Sequence, residues 1–191
     1  MITMYGINEI FYSLQGEGFW TGTPAVFLRF AGCNLRCPFC DTDYAASQPM
    51  DEDAIVINLK KSAPGCHRII VTGGEPALQL DQPLVDRLHA EGYTIHVETN
   101  GTRALPDGID WITFSPKQDW QAAAKTALTG ADELKLVYTG QADADRWLAF
   151  PATHYFLQPC SGQNTKEVVA YIMSHPRWRL SLQTHKYLDI K

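Results

Sequence analysis

Three cysteines lie within eight residues, and their spacing is the feature of this chain best suited to chemistry. Cys33, Cys37 and Cys40 form the pattern C-x3-C-x2-C. Thiolates are ligands for iron–sulfur clusters and for zinc. An iron–sulfur cubane normally has four cysteine ligands, so three would leave one iron open to a small molecule. A structural zinc site needs a fourth protein ligand. We therefore expect an iron–sulfur cluster, with structural zinc and unrelated buried thiols as the alternatives.

The two remaining cysteines stand alone in the sequence. Cys66 and Cys160 could each be a fourth ligand, but neither has a spaced partner. Because free cysteine is commonly buried, we expect buried or incidental roles for both. Five cysteines, three of them crowded into one segment, make a poor disulfide framework. The pattern indicates a metal site in a reducing compartment.

Short apolar segments alternate with helical patterns along the chain, and these elements must position the cysteines. The segments are rich in Ile, Val, Leu and aromatic residues, which favours strands. We predict strands over 25–30, 68–72, 94–98, 111–114, 133–137, 155–158 and 179–183, with an N-terminal strand over 7–14. We predict helices over 51–62, 80–90 and 165–175, the first capped by Asp51. Strand–helix alternation is typical of a parallel sheet with right-handed crossovers.

Chain length selects among the possible closures of such a sheet. A full eight-unit barrel takes about 250 residues, and 191 residues leave room for about six units. We expect an α/β fold, a compact incomplete (β/α)6-type partial TIM barrel, forming a single domain over residues 1–191.

Conspicuous turn sequences follow the predicted strands directly. They are AGCNLRCPFCDT, GGEP, TNGT, SPK, QPCSG and THK. The carboxyl ends of parallel strands form one shared mouth where ligands bind, so these turns should converge there. Polar residues commonly follow strands in any case, which accounts for part of this regularity but does not explain the cysteines.

Composition narrows the class of protein. Hydrophobic residues make up 45% of the chain and charged residues 19%, and the formal net charge is −5. No basic tract is long enough to grip a phosphate backbone, so nucleic acid is not an expected partner. No apolar run approaches the roughly 20 residues that a membrane helix needs. The start MITMYGINEIFYSL lacks the pattern of a secretory signal. We expect a cytoplasmic protein with no membrane partner.

The cysteine pattern, with Phe39 just before its last cysteine, resembles the cluster loop of the radical S-adenosylmethionine (SAM) superfamily. GGEP at 73–76 resembles a second motif of that superfamily. The resemblance implies that an open iron of a 4Fe–4S cluster binds SAM and that reduction yields a 5′-deoxyadenosyl radical. The glycines of GGEP would let the backbone approach the methionine end of SAM closely.

A narrower resemblance covers nearly the whole chain. The segments EIFYSLQGEG, RFAGCNLRCPFCDTDYA, VTGGEP, ETNGT, SPK and QTHKYL resemble the 7-carboxy-7-deazaguanine synthases of the queuosine pathway. The resemblance implies a carbon–nitrogen lyase that converts 6-carboxy-5,6,7,8-tetrahydropterin into 7-carboxy-7-deazaguanine with loss of ammonia. SAM would be regenerated and Mg²⁺ required. The radical would be carried by SAM and the cluster, without a catalytic side chain.

The resemblance also assigns site residues. Cys33, Cys37 and Cys40 would hold one 4Fe–4S cluster per chain, and Thr42 would ligate Mg²⁺ with help from substrate oxygens. Taken without the resemblance, Thr42 is a turn residue. The residues implied in SAM binding are Phe39, Cys40, Asp41, Gly74, Ser115, Pro116, Lys117, Gln158, Pro159, Cys160 and Ser161. The residues implied in substrate binding are Leu14, Gln15, Gly16, Arg29, Thr72 and Lys191.

Several of these residues have other interpretations or no assigned role. Arg29 suits a pterin carboxylate because its guanidinium forms a fork, but it could instead make a surface ion pair. Lys117 could be a solvated lysine. Glu98 and Asn100 should line the same mouth without an assigned role.

The expected partners are the pterin substrate and a reducing protein such as a flavodoxin or ferredoxin. We also expect a homodimer, since symmetric dimers are the commonest oligomers. Two other functions stay open at this point. One is a small radical SAM activase that makes a glycyl radical on a partner protein, and the other is a non-enzymatic, metal-stapled interaction module.

Overall fold

A computed structural model describes residues 3–191; the first two residues of the expected single domain lie outside the described residues. Nine strands form one mixed sheet in the order β3-β1-β2-β4-β5-β6-β7-β8-β9. The strands are β1 (Tyr5–Leu14), β2 (Pro24–Phe30), β3 (Gln48–Met50), β4 (Arg68–Gly73), β5 (Thr94–Thr99), β6 (Trp111–Phe114), β7 (Ala131–Tyr138), β8 (Ala152–Pro159) and β9 (Arg179–Leu180).

The parallel part of the sheet runs from β2 to β9. β2 pairs in parallel with β4, and each later neighbour adds another parallel strand as far as β9. The sheet curves so strongly that the turn after β1 contacts β7 and the segment after β9. This curvature is the partial barrel that chain length predicted, and the expected fold class is confirmed.

Residues 3–191 contain four α-helices. Three lie in connections between strands, α1 (Glu52–Ser62), α2 (Gln82–Ala90) and α3 (Thr165–Ser174), and α4 (Thr184–Leu188) follows β9. Asp51 caps α1 by accepting a hydrogen bond from the Ala54 amide at 2.8 Å, and Asp81 caps α2 in the same way. α1, α2 and α3 pack on the convex face of the sheet, where two apolar clusters form the core. No helix in residues 3–191 has the length and apolar character needed to cross a membrane.

Strand–helix alternation is incomplete. The chain from β5 to β6 and from β6 to β7 contains no α-helix, and a short 3-10 helix at Ala144–Ala149 joins β7 to β8. The strand predicted over 179–183 is shortened to Arg179–Leu180. Irregular segments replace helices at these crossovers, and aromatic residues such as Trp147 and Phe150 complete the apolar cluster of β6–β8.

The N-terminal strand differs most from expectation. β1 runs antiparallel to β2, with Leu14 opposite Pro24 and Ile7 opposite Phe30. Leu14 therefore lies at the edge where the parallel strands begin, away from the loop that follows Phe30. The hydrophobic pattern predicts a strand here but contains no information on its direction.

β7 shows how the sheet separates core from cavity. Leu134 and Leu136 are fully buried in the apolar cluster on the convex face. Glu133 and Lys135 alternate with them and point to the concave side, because successive side chains of a strand face opposite ways. The concave side of β7 is consequently polar and charged, whereas Phe11 and Phe27 of β1 and β2 contribute apolar surface to the same cavity.

Candidate active site

A cavity of about 500 Å³ occupies the concave side of the sheet. Its wall is built from nearly all the residues implied by the sequence. Those present are Leu14, Gln15, Gly16, Arg29, Cys33, Cys37, Phe39, Cys40, Asp41, Thr42, Thr72, Gly74, Ser115, Lys117, Gln158, Pro159, Cys160, Ser161 and Lys191. Pro116 is the exception, since it is buried and does not line the cavity. Cys66 lies elsewhere, beside a small second cavity.

The three-cysteine loop lies at the mouth of this cavity. Cys33 and Cys37 are half-buried, Cys40 is exposed, and all three are free thiols. Burial raises the pKa of Cys33 and Cys37, and repulsion among the three sulfurs raises it further, so the sulfurs lie close enough to feel one another. Among the described residues, no three His, Cys, Asp or Glu side chains are gathered around a single-ion position. The donor set of three neighbouring thiols on one loop suits a cluster with one open iron.

The GGEP turn packs directly against the cluster loop. A Cβ at Gly74 would lie 1.8 Å from the carbonyl oxygen of Gly32, so no larger residue fits. The Glu75 amide donates to that same carbonyl at 2.9 Å. The Glu75 side chain is fully buried and accepts from Thr99 Oγ1 at 2.6 Å and from the Asn100 amide at 2.7 Å. Burial raises the pKa of Glu75. Glu75 thus joins the turns after β4 and β5 beneath the cluster loop.

The turn after β1 reaches the cavity from the opposite end to the cluster loop. Because β1 is antiparallel to β2, this turn lies at the opposite end of the strands from Arg29 and the cluster loop, although all three line one cavity. The chain instead folds back at 15–23, with Gln15 and Thr23 joined by a backbone hydrogen bond of 2.8 Å. The turn forms a floor rather than a lip of the cavity.

The hydrogen-bonding groups of Gln15 are used within the floor itself. Its Nε2 donates to Glu98 Oε1 at 2.7 Å, and its Oε1 accepts from the Glu17 amide at 3.1 Å. Its backbone amide and carbonyl are also paired, with Thr23 and Gly22. The side chain is buried. Gln15 therefore orients Glu98 and Glu17 and has few hydrogen-bonding groups left for a ligand.

A buried ion cluster lies behind the floor, and sequence reasoning missed most of it. Lys135 Nζ lies 2.5 Å from Glu17 Oε2 and 3.2 Å from Glu98 Oε2. Burial alone would lower the pKa of Lys135, but Glu17, Glu98 and Glu133 together raise it above its usual value. Burial would likewise raise the pKa of Glu17, yet Lys135 holds it below its usual value. The lowered pKa keeps the Glu17 carboxylate ionised, and both Glu17 and Glu98 line the cavity.

Glu133 anchors the turn from below. Its Oε2 accepts from the Phe19 amide at 2.8 Å, and a Cβ at Gly18, whose φ is +67°, would lie 2.0 Å from its Oε1. Burial raises the pKa of Glu133 to about 7. Phe19 then stacks on Trp111 at 5.1 Å between ring centroids. This packing supports the floor from the side away from the cavity.

Arg29 faces the cavity with a carboxylate partner already in place. Its Nε donates to Glu9 Oε1 at 3.0 Å, and the guanidinium lies 5.9 Å from the centroid of the Phe11 ring. Lys191 Nζ donates to Glu9 Oε2 at 2.9 Å, and Ser13 Oγ donates to the carbonyl oxygen of Lys191 at 2.6 Å. Arg29 therefore makes an ion pair and also lines the cavity. Lys191 lies beside this pair.

The segment after β9 closes over the cluster loop. Asp41 Oδ2 accepts from Lys186 Nζ at 2.5 Å and from Gln183 Nε2 at 3.0 Å, and Gln183 Nε2 also donates to Glu17 Oε1 at 2.9 Å. Burial would raise the pKa of Asp41, but Lys186 and Gln183 lower it. One glutamine thereby joins the cluster loop to the buried ion cluster.

Lys117 has an unusual environment for a lysine. Its Nζ donates to the Ser115 carbonyl at 3.0 Å and to Ser115 Oγ. Burial lowers the pKa of Lys117 to about 8. The solvated-lysine interpretation is wrong, since the ammonium group lines the cavity near Cys37.

Comparisons with known proteins agree with this site. The radical SAM superfamily model matches residues 28–118, which include the cluster loop, GGEP and SPK. A Bacteroides thetaiotaomicron protein named 7-carboxy-7-deazaguanine synthase is 54% identical, over 98% of this chain and 100% of its own length. A Burkholderia multivorans protein of the same name is 45% identical, over 97% of this chain and 99% of its own. The crystal structure of QueE from Escherichia coli matches with a TM-score of 0.79 and 28% identity, over 95% of each chain.

These matches extend along almost the entire chain, so the family's fold is present from β1 to α4. They do not favour the glycyl-radical activase or the metal-stapled module. Radical SAM proteins bind a 4Fe–4S cluster and SAM, and the three thiols and the GGEP turn line one cavity here. With identities of 54% and 45% over nearly full lengths, the chain belongs to the 7-carboxy-7-deazaguanine synthase family of the radical SAM superfamily.

Proposed function

We propose that this protein converts 6-carboxy-5,6,7,8-tetrahydropterin into 7-carboxy-7-deazaguanine and ammonia in the cavity described above. The observation that carries the proposal is that the three-cysteine loop, Arg29 and the carboxylates of Glu17 and Glu98 line the same cavity. A cluster site alone fits any radical SAM enzyme. The guanidinium and the two carboxylates add recognition for a ligand that has its own carboxylate and several N–H groups.

Cys33, Cys37 and Cys40 hold the cluster, and the turns that follow the parallel strands hold SAM. When bound, the cluster supplies an electron and SAM supplies the radical that takes a hydrogen from the substrate. The backbone at Gly74 packs directly against the cluster loop, where no side chain would fit. Lys117 and Gln158 contribute polar groups from neighbouring strand ends.

Substrate recognition divides between the two sides of the cavity. Arg29 binds the substrate carboxylate, since a guanidinium fork matches a carboxylate in two hydrogen bonds. Glu17 and Glu98 accept hydrogen bonds from the N–H groups of the pterin, because carboxylate oxygens are hydrogen-bond acceptors. Lys135 and Gln15 hold these two carboxylates in place. Leu14 and Gly16 complete the floor.

Thr42 offers its hydroxyl for Mg²⁺ beside the cluster loop. A lone hydroxyl is a weak ligand, so the substrate carboxylate and water must supply the other oxygens. Mg²⁺ would then orient that carboxylate and stabilise developing charge. The contacts of Lys186 and Gln183 with Asp41 keep the adjoining backbone in position.

The remaining proposals concern the protein partners and the cellular location. We infer a reducing protein such as a flavodoxin or ferredoxin, since the cluster must be reduced from outside. Cys40 is exposed, so the loop offers a short path for that electron. A homodimer in the cytoplasm is the expected form of the enzyme.

Substitution of Arg29 tests the substrate assignment. Losing one partner of a desolvated charge pair costs about 2–5 kcal/mol, and each 1.4 kcal/mol is about tenfold in affinity. Arg29→Ala should therefore raise the apparent dissociation constant for the pterin by about 30-fold or more. SAM cleavage without substrate should survive, because the cluster and SAM contacts lie on other turns. Arg103→Ala, at an exposed position, is the control.

Two outcomes would contradict the assignment. Normal pterin binding by Arg29→Ala would mean that the Arg29–Glu9 pair serves only the fold. An equal loss of SAM binding would mean that Arg29 belongs to a different ligand. Isothermal titration under anaerobic conditions measures both affinities on the same preparation.

A further inference from the structure

Asn100 is oriented by its neighbours so that its side-chain nitrogen faces the cluster loop. Its Oδ1 accepts from the Thr102 amide at 3.0 Å and from Thr102 Oγ1 at 2.7 Å. A backbone N–H can only donate, so the atom that faces it must be the oxygen. Nδ2 therefore points the other way, 3.2 Å from Asn34 Oδ1 and 4.0 Å from the Sγ of Cys33.

The Asn100 backbone is held as firmly as its side chain. Its amide donates to the fully buried Glu75 carboxylate at 2.7 Å. On the other side, Asn34 Nδ2 donates to Thr102 Oγ1 at 2.8 Å and closes a ring of hydrogen bonds. Asn100 is itself buried. Its N–H group thus has a fixed direction toward a cluster cysteine.

A second carboxamide reaches a second cysteine from another part of the chain. Gln121, in the connection between β6 and β7, places Nε2 3.9 Å from the Sγ of Cys37. The ammonium of Lys117 lines the same cavity as both cysteines. Two carboxamide donors therefore approach two of the three ligand sulfurs.

We propose that Asn100 and Gln121 are positioning residues that donate N–H···S hydrogen bonds to Cys33 and Cys37 and thereby raise the reduction potential of the cluster. The inference rests on the proposed function, in which these cysteines hold the 4Fe–4S cluster. Reduction adds an electron and makes the thiolate sulfurs more negative. Hydrogen bonds to the sulfurs stabilise the more negative state and are a known determinant of cluster potential. In a half-buried site they are poorly screened.

The test is an equilibrium redox titration of anaerobically prepared, cluster-loaded protein, followed by the electron paramagnetic resonance signal of the reduced cluster. Gln121→Met removes one donor at nearly constant volume. Asn100→Asp keeps the acceptor for Thr102 and replaces the donor. Asn58→Asp adds the same charge on α1, outside the cavity wall, and serves as the control. Iron and sulfide content are measured for every variant.

We expect each variant to lower the potential and the control to leave it unchanged. When Gln121→Met and Asn100→Asp are combined, the ratio of reduced to oxidised cluster at a fixed solution potential should fall about tenfold. This change corresponds to about 59 mV for one electron. An unchanged potential in fully loaded Gln121→Met would overturn the inference for Gln121. Asn100→Asp could instead lose part of its cluster while the remaining loaded protein keeps an unchanged reduction potential. That result would show that Asn100 only supports the loop. If the unaltered protein takes up no iron, the proposed function fails rather than this inference.

Discussion

Lys135 gives the sharpest prediction, because it is a buried cation that contacts the side chains of Glu17 and Glu98. Its side chain is 5% exposed, and those of Glu17 and Glu98 are 14% and 24% exposed. Removing one partner from a buried ion pair costs about 3–5 kcal/mol, since the remaining charge is left unpaired. Lys135→Met should therefore lower the free energy of unfolding by about that amount. For a chain of this size the loss corresponds to roughly 6–20 °C in the melting midpoint.

The loss should depend on pH in a defined direction. In the unaltered protein the pKa of Glu17 is lowered, so its stabilising contribution is present above the usual value of 4.5 and is lost as the pH falls through the lower folded value. Without Lys135, the folded-state pKa of Glu17 rises and the carboxyl takes up a proton more readily. The difference between the two proteins should be largest near pH 7–8 and should shrink toward pH 4.

Thermal unfolding under anaerobic conditions, from pH 5 to pH 8, measures this difference. Lys60→Met is the matched control, because Lys60 pairs with Glu91 at 2.5 Å but is 57% exposed. An exposed pair of this kind contributes about 1 kcal/mol or less. If Lys135→Met and Lys60→Met lose the same stability, or if the Lys135→Met loss does not vary with pH, the buried-cluster reasoning is refuted.

Three further predictions concern single groups. Burial raises the pKa of Glu133 from 4.5 to about 7, so its stabilising contribution is complete below pH 4.5 and is lost as the pH rises through 7. Glu133→Gln should therefore remove about 3 kcal/mol of the pH dependence of the unfolding free energy, which unfolding midpoints measure. Thr42→Ala should lower activity and weaken the Mg²⁺ dependence of the rate while iron content stays normal, and Mg²⁺ activation equal to that of the unaltered protein would contradict the ligand assignment. Cys37→Ala should lose the cluster by iron and sulfide analysis, whereas a stoichiometric zinc site in the unaltered protein would disprove the cluster.

Most of the cavity wall could be predicted from the sequence because its residues lie in turns that follow parallel strands. GGEP, SPK and the cysteine loop are such turns, and the parallel sheet collects them at one edge. Their positions follow from chain direction alone once the strands are recognised. The same logic failed for the turn after β1, because strand direction is set by pairing with β2 rather than by local sequence.

The buried ion cluster could not be located from the sequence for a different reason. Glu133 and Lys135 are charged residues alternating within an apolar strand, which indicates an inward-facing polar row. Glu17 and Glu98 are 118 and 37 residues from Lys135 along the chain. Strand order places Glu98 two strands from Lys135, and closure of the barrel brings Glu17 to the same place. The two charged residues within ELKLV indicate that one face of this strand is polar, but they do not identify the residues that pair with them.

Gln15 shows that a residue can lie on the cavity wall without being free to bind. The resemblance predicted its position on the wall. Its hydrogen bonds with Glu98 and with the Glu17 amide depend on the fold of the 15–23 turn. Pro116 shows the converse, since it belongs to the SPK turn yet is buried behind the wall. Motif membership predicts location to within a turn, and packing decides which atoms face the ligand.

Product analysis tests the central claim most directly. Cluster-loaded protein is incubated without oxygen with SAM, a reductant, Mg²⁺ and 6-carboxy-5,6,7,8-tetrahydropterin deuterated at the abstracted position. We predict 7-carboxy-7-deazaguanine and ammonia in equal amounts, with deuterium appearing in recovered SAM. Cleavage of SAM that is indifferent to the pterin, with no deazaguanine formed, would contradict the account.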